Sequence, residues 1–304
     1  MASASNNISL RSFVPTLHSS PYPTIDPTAQ PLPMPYTVCI IGGHGASGSA
    51  LAKSYSSAGC TGLILAARNL RPLQKLRDEI QYLAPNTAIT IAECDITSSS
   101  SVASLASLTS AAFSGHLDVL IVNAGYSGPL TDSIIDENPD VFAQAFNVNT
   151  LGTYHAARHF LPLLLGTPEG AMSFIGISSM SAATVAGPIA HVHYCASKAA
   201  QVRVLEMVCE QVRGRGVFVA SVHPGGMRSE FSMAVLPAEY QHILTDDPAL
   251  VGAFCVWLTR MDGTMKRETL NGRFLSCKWD INELEGRYQE ILEKDLLRFR
   301  IASG

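Results

Sequence analysis

The stretch Thr37-Val38-Cys39-Ile40-Ile41-Gly42-Gly43-His44-Gly45-Ala46-Ser47-Gly48-Ser49-Ala50-Leu51 decides the fold. A short run ending in Ile40-Ile41 reads as a buried strand, and Gly43-x-Gly45-x-x-Gly48 follows as a tight turn. Leu51, Tyr55 and Ala58 then recur on one face of a helix, which Gly59 ends. In such a strand-turn-helix unit, backbone N–H groups and the helix N-terminus converge on a pyrophosphate, and glycines admit it without a Cβ clash. The loop residues Gly42, Gly43, Gly45, Ala46, Ser47 and Gly48 are therefore candidate ligands of a dinucleotide.

Outward from this unit, short apolar runs alternate with longer amphipathic stretches. Strands are expected at Thr37–Ile41, Gly62–Ala66, Ala88–Ala92, Leu117–Val122, Met172–Ile177, Val217–Val222 and Arg273–Ser276. Alternating strands and helices wind a parallel sheet, which predicts an α/β, Rossmann-type doubly wound parallel sheet of about seven strands in a single domain over residues 36–304. Residues 1–35 are rich in Pro and Ser and lack periodicity, so they read as an irregular arm, laid against that domain or standing as a transit segment.

Composition narrows the partners. The 304 residues are 47% hydrophobic with a net charge of −4 and no block of like charge, which gives no footprint for nucleic acid or an anionic membrane. No apolar run reaches the roughly 18 residues of a membrane span. The seven cysteines are scattered without paired spacing, which suits a reducing, cytoplasmic location and gives no metal site.

Two further motifs carry chemistry. Tyr194-Cys195-Ala196-Ser197-Lys198 places a phenol and an amine four apart on one helix face, where a cation lowers the phenol pKa from about 10 toward the working pH. About 20 residues beyond Gly48, where an acidic side chain would take the ribose 2′-hydroxyl of NAD, the chain instead has Arg68-Asn69. A guanidinium there pairs with a 2′-phosphate, so NADPH/NADP+ is favoured over NADH.

With these motifs in register, residues 37–280 resemble the short-chain dehydrogenase/reductase family. The matching pieces are the glycine loop, Cys94-Asp95-Ile96, Asn123-Ala124-Gly125, Asn149, Ile177-Ser178-Ser179, Tyr194-x-x-x-Lys198 and Pro224-Gly225 through Ser229. Gly272 to Asp280 looks like fungal members associated with secondary metabolism. Two departures stand out. Ile41 and Ala46 replace the Thr and middle Gly of the family's shorter branch, so Gly42-x-x-Gly45-x-x-Gly48 matches the extended and atypical branches instead. Ser179 lies two residues farther from Tyr194 than is usual, a spacing that Ser181 would restore. Ser179 is preferred, because a strand slip would turn its side chains to the wrong faces while a loop absorbs two residues.

The resemblance implies hydride transfer from NADPH to a carbonyl, with Tyr194 as proton donor, Ser179 on the substrate oxygen and Lys198 on the nicotinamide ribose. Asn149 would organise a water that leads in protons. It also implies cofactor contacts at Asp95 and Ile96 (adenine), Asn123, Ala124 and Gly125 (adenosine side), and Pro224, Gly225 and Ser229 (nicotinamide end). Met227 to Leu250, with Phe231, Met233, Leu236, Tyr240 and Ile243, is expected to be a lid over an apolar pocket. The resulting expectation is a reductase of a bulky, mostly apolar ketone or aldehyde. The alternatives are an NADP-dependent alcohol dehydrogenase, an NADPH sensor, or a cyclase-like protein that holds NADPH without turnover. Helices near 150–165 and 194–213 are candidate interfaces of a homodimer or homotetramer, with His155 and His159 packing there. Cys195 is expected to pack, with thiol reactivity as the alternative. Glu283 to Asp295 is expected to be one amphipathic helix.

Overall fold

The computed structural model describes residues 10–131, 133–187, 190–260 and 263–301; residues 1–9 of the arm lie outside them. The strands are β1 (Thr37–Ile41), β2 (Gly62–Ala67), β3 (Ala88–Glu93), β4 (Val119–Val122), β5 (Ser173–Ile177), β6 (Phe218–His223) and β7 (Arg273–Ser276). They form one parallel sheet in the order β3-β2-β1-β4-β5-β6-β7. This is the Rossmann-type sheet that the alternation implies, with strand ends shifted by one or two residues.

Helices α1 (Gly45–Ser57), α2 (Leu70–Leu83) and α3 (Ser99–Ala112) follow the first three strands. Beyond β4 come α4 (Pro139–Ala145), a π-helical turn (Phe146–Leu151) and α5 (Gly152–Leu165). Helix α6 (Val192–Gln211) precedes β6, and α7 (Glu230–Val235), α8 (Ala249–Thr259) and α9 (Thr264–Leu270) lead to β7. Side chains alternate across the sheet as a strand dictates. Val38, Ile40, Leu63 and Leu65 join Leu51, Tyr55, Leu73 and Phe254 in one core. Cys39, Ile41, Ile64 and Ala66 join Val102, Leu105, Phe160, Leu205 and Val208 in the other. Both faces are thus buried, which is why these strands are nearly continuous in apolar residues.

The arm is not a loose appendage. Val14, Ile25 and Leu32 are buried within the first core. Leu17 makes an antiparallel bridge to Trp279, and the Asp247 N–H donates to the Ser19 carbonyl at 2.7 Å. A 3-10 turn at Pro23–Ile25 interrupts its irregular course.

The expected single helix over 283–295 is a correction: the segment forms α10 (Ile281–Glu285) and α11 (Tyr288–Glu293), separated by Gly286 and Arg287. Asp280 caps α10 through the N–H groups of Asn282 and Glu283, so this helix starts earlier than the apolar spacing suggests. Arg287 is drawn away, its guanidinium 3.8 Å from the centre of the Phe13 ring.

Candidate active site

The glycine loop, the segment after β4, Ser178-Ser179 and Pro224-Gly225 all emerge at the carboxyl ends of neighbouring strands, where the order reverses between β1 and β4. This crevice is where open α/β sheets take ligands. Gly42 and Gly45 adopt φ of 88° and 78°, and a Cβ on Gly48 would lie 2.3 Å from the Gly42 carbonyl oxygen. These three glycines are therefore required by backbone path and contact. At the start of α1, His44 offers no side-chain cap and the first turn has no acidic residue. Its N–H groups are free of side-chain competition, as a phosphate site needs. Ala46 leaves this turn intact.

Asn123 knits the loop to the crevice: its Nδ2 donates to the Gly42 carbonyl at 2.6 Å, and its Oδ1 accepts from the Ser47 hydroxyl at 2.8 Å. Ala124 follows by donating its N–H to the Ile41 carbonyl at 2.8 Å. Arg68 is exposed just past β2. Its charge helps hold the Asp95 carboxyl below the usual range, after the larger effect of hydrogen bonds from Thr97. Asn69 is spent as the cap of α2, accepting from the Arg71 N–H at 3.0 Å. Ile96 is buried beneath Gly152, and its carbonyl faces His155 Nδ1 at 3.1 Å. His155 thus bonds within the fold, as does His159 with the Ser99 hydroxyl at 2.9 Å. At the other end Gly225 has φ 86°, and Ser229 caps α7 in a reciprocal pair with Ser232.

Tyr194, Lys198 and Ser179 are brought together. The Tyr194 phenol is buried, which pushes its pKa up to about 12, while a hydrogen bond with Ser179 pulls the other way. The Ser179 oxygen also accepts from the Ser181 N–H at 3.1 Å. Ser181 instead contacts Cys195. The Cys195 thiol is raised to about 11, mainly by burial, so its environment is that of a packing residue.

Lys198, expected to lower the phenol pKa, is itself buried. Burial drives its own pKa down to about 7, which weakens the field it can exert. Its amine donates to the Ile177 carbonyl and to Gln201 Oε1, each at 3.0 Å. Asn149, in the π-helical turn, is fully buried. Its side chain donates to the Tyr126 carbonyl at 2.8 Å and the Ser197 hydroxyl at 2.9 Å, and accepts from the Tyr126 N–H at 2.9 Å. Ser197 in turn donates to the Tyr194 carbonyl at 2.9 Å. Asn149 therefore ties the segment after Gly125 to the first turn of α6.

Two neighbours of this group, Gln201 and His223, escape the sequence reading, and a third, His193, takes partners that its place in His191-x-His193 does not reveal. Gln201 shares the helix face of Tyr194 and Lys198 at a spacing of seven and three, the one available signal. His223 is pushed down to about 3, chiefly by burial, and as neutral imidazole accepts the Met180 N–H at 3.2 Å, bracing the turn after Ser179. Buried His193 engages Glu137 through Nδ1 and the Ser127 carbonyl through Nε2 at 2.7 Å. Nothing in local spacing announces that pair, since its members lie 56 residues apart. Over the group, the Phe231 ring meets Tyr194 edge-on at 6.0 Å.

A family model described as short chain dehydrogenase matches residues 36–239. The short chain dehydrogenase pgmD of Aspergillus terreus is 32% identical over 298 residues, spanning 95% of this chain and 94% of that protein. A short chain dehydrogenase of Shigella flexneri, complexed with NADP, superposes with a TM-score of 0.71 at 24% identity, over 82% of this chain and 99% of that one. A 7α-hydroxysteroid dehydrogenase complexed with NADH and 7-oxo glycochenodeoxycholic acid gives 0.69 at 20% identity, over 84% and 96%. Likeness at these identities speaks for the fold alone.

Proposed function

The chain belongs to the short-chain dehydrogenase family of oxidoreductases, and from that premise we propose that it is an NADPH-dependent reductase of a ketone or aldehyde on a bulky, mostly apolar metabolite. The observation that carries the reading is the meeting of Tyr194, Ser179 and Lys198 in the crevice that also presents the uncapped start of α1. These residues fit a dinucleotide: a helix N-terminus for the pyrophosphate, Arg68 for a 2′-phosphate, and Gly125 open beside the Lys198 amine.

NADPH supplies the hydride when bound. Tyr194 donates its proton to the developing alkoxide, and a buried phenol with a raised pKa keeps that proton until negative charge appears beside it. Ser179 hydrogen-bonds the same oxygen and orients it, while Ser181 is occupied with Cys195. Lys198 holds the ribose with the donor that Ile177 and Gln201 leave over. Phe231 and buried Met227 and Leu236 give the substrate side its apolar character. Tyr154 and Met207, 53% and 56% exposed on α5 and α6, support a homo-oligomer.

The test is Tyr194→Phe in an NADPH-oxidation assay over a carbonyl panel, with cofactor binding followed by fluorescence. Turnover drops about 10²- to 10⁴-fold while NADPH still binds; undiminished turnover removes Tyr194 from the chemistry. In parallel, Arg68→Ala weakens NADPH at least tenfold and leaves NADH nearly unchanged. Equal losses for both would count against the 2′-phosphate role.

A further inference from the structure

Lys198 is 3% exposed, and an ammonium has three N–H donors and no acceptor. Two are fixed by the Ile177 carbonyl and Gln201 Oε1, each 3.0 Å away. Gln201 and Thr153 are both fully buried. The Gln201 Nε2 donates to Thr153 Oγ1 at 3.0 Å, and that hydroxyl donates its single proton to the Asn149 carbonyl at 2.8 Å. The direction of every bond is forced. Thr153 has spent its proton, so it can only accept from the amide nitrogen, and that turns the amide oxygen to Lys198, which donates to it. An ordered chain thus runs from the backbone of the π-helical turn, through α5, to the amine on α6.

We propose that Gln201, oriented by Thr153, is a positioning residue that holds the Lys198 amine in place for its work beside Tyr194. This rests on the role given to Lys198 above. The neighbours of Gln201 on its helix, Val202 and Leu205, are buried and apolar, and burying an amide among them costs free energy unless both its ends are paired. Here both are paired, one of them to the amine. With two donors fixed, the third has a set direction. The other groups beside the amine, the Ile177 carbonyl on β5 and the Gly125 backbone after β4, are uncharged, and no charged side chain shifts its pKa. The Gln201 oxygen is therefore a principal dipole favouring the ammonium.

Three variants test this: Gln201→Met, which keeps length but loses both bonds, Gln201→Glu, and Thr153→Val. The Lys198 titration is read in cofactor-free protein by NMR of ¹³Cε-labelled lysine, and kcat and KM are read against pH with NADPH and a carbonyl. In Gln201→Met the Lys198 pKa falls by about one unit, because one bond to the charged form is gone. Its kcat falls about tenfold with the substrate KM nearly unchanged. Gln201→Glu moves the pKa the other way and recovers most of kcat, and Thr153→Val lies between. If Gln201→Met fails to fold, the other two variants carry the same readouts. An unmoved Lys198 titration in folded variants overturns the proposal and leaves Gln201 a packing residue. A shifted titration in a protein whose wild type oxidises no NADPH upholds the positioning and refutes the reductase reading instead.

Discussion

Replacing Lys198 by Met should make the ligand-free protein more stable at neutral pH, and by an amount that depends on pH. The amine is buried and its pKa falls from 10.5 to about 7. The unfolded chain therefore binds this proton more readily than the fold does. Its penalty is full below the folded value and fades as pH rises toward the unfolded one, so this group's contribution to stability increases with pH. At about 1.4 kcal/mol per unit, the penalty is roughly 4 kcal/mol at pH 7 and roughly 2 kcal/mol at pH 9. Wild type also has buried thiols whose raised pKa values act in the opposite direction, such as Cys60 at about 12. These cancel in the difference between wild type and Lys198→Met. Urea unfolding followed through Trp257 and Trp279, both buried, should show that difference shrinking by about 2 kcal/mol from pH 7 to pH 9. A difference constant over this range would mean that the amine titrates in the fold as it does in water, and the burial argument would be wrong.

Two other perturbations probe the loop and the arm. Gly48→Ala puts a methyl 2.3 Å from the Gly42 carbonyl oxygen and 2.9 Å from the Gly43 carbonyl carbon, so the loop must shift. NADPH affinity, read by fluorescence titration, falls at least tenfold, with a stability loss of about 1–3 kcal/mol; unchanged affinity would remove this loop from the cofactor site. Ile25→Ala in the arm, at a position 1% exposed, costs about 2–4 kcal/mol in urea unfolding. A loss below about 0.5 kcal/mol would mark the arm as dispensable to the core.

Much of the fold was legible because its signals are local. Apolar runs flanked by turns gave seven strands, and the observed bounds differ by one or two residues at most. The single helix expected near the C-terminus failed for a reason that local spacing hides: Arg287 is drawn to Phe13, 274 residues away. For the arm, the sequence left packing against the domain as one of two readings, and its partners, on α8, Trp279 and the segment after α7, lie too far along the chain for local pattern to name them.

The sequence by itself determined the unit from Thr37 to Gly59 and the shared helix face of Tyr194 and Lys198, because helical and strand periods act over a few residues. Only the tertiary structure sets the partners of two serines two positions apart. The turn after β5 sends Ser179 to Tyr194 and Ser181 to Cys195, and sequence distance does not encode that path. The fold alone likewise sets Gln201 and Thr153, 48 residues apart, between the Lys198 amine and the Asn149 carbonyl. A buried polar group must find its partner wherever packing brings one within about 3 Å, and that place belongs to the whole chain.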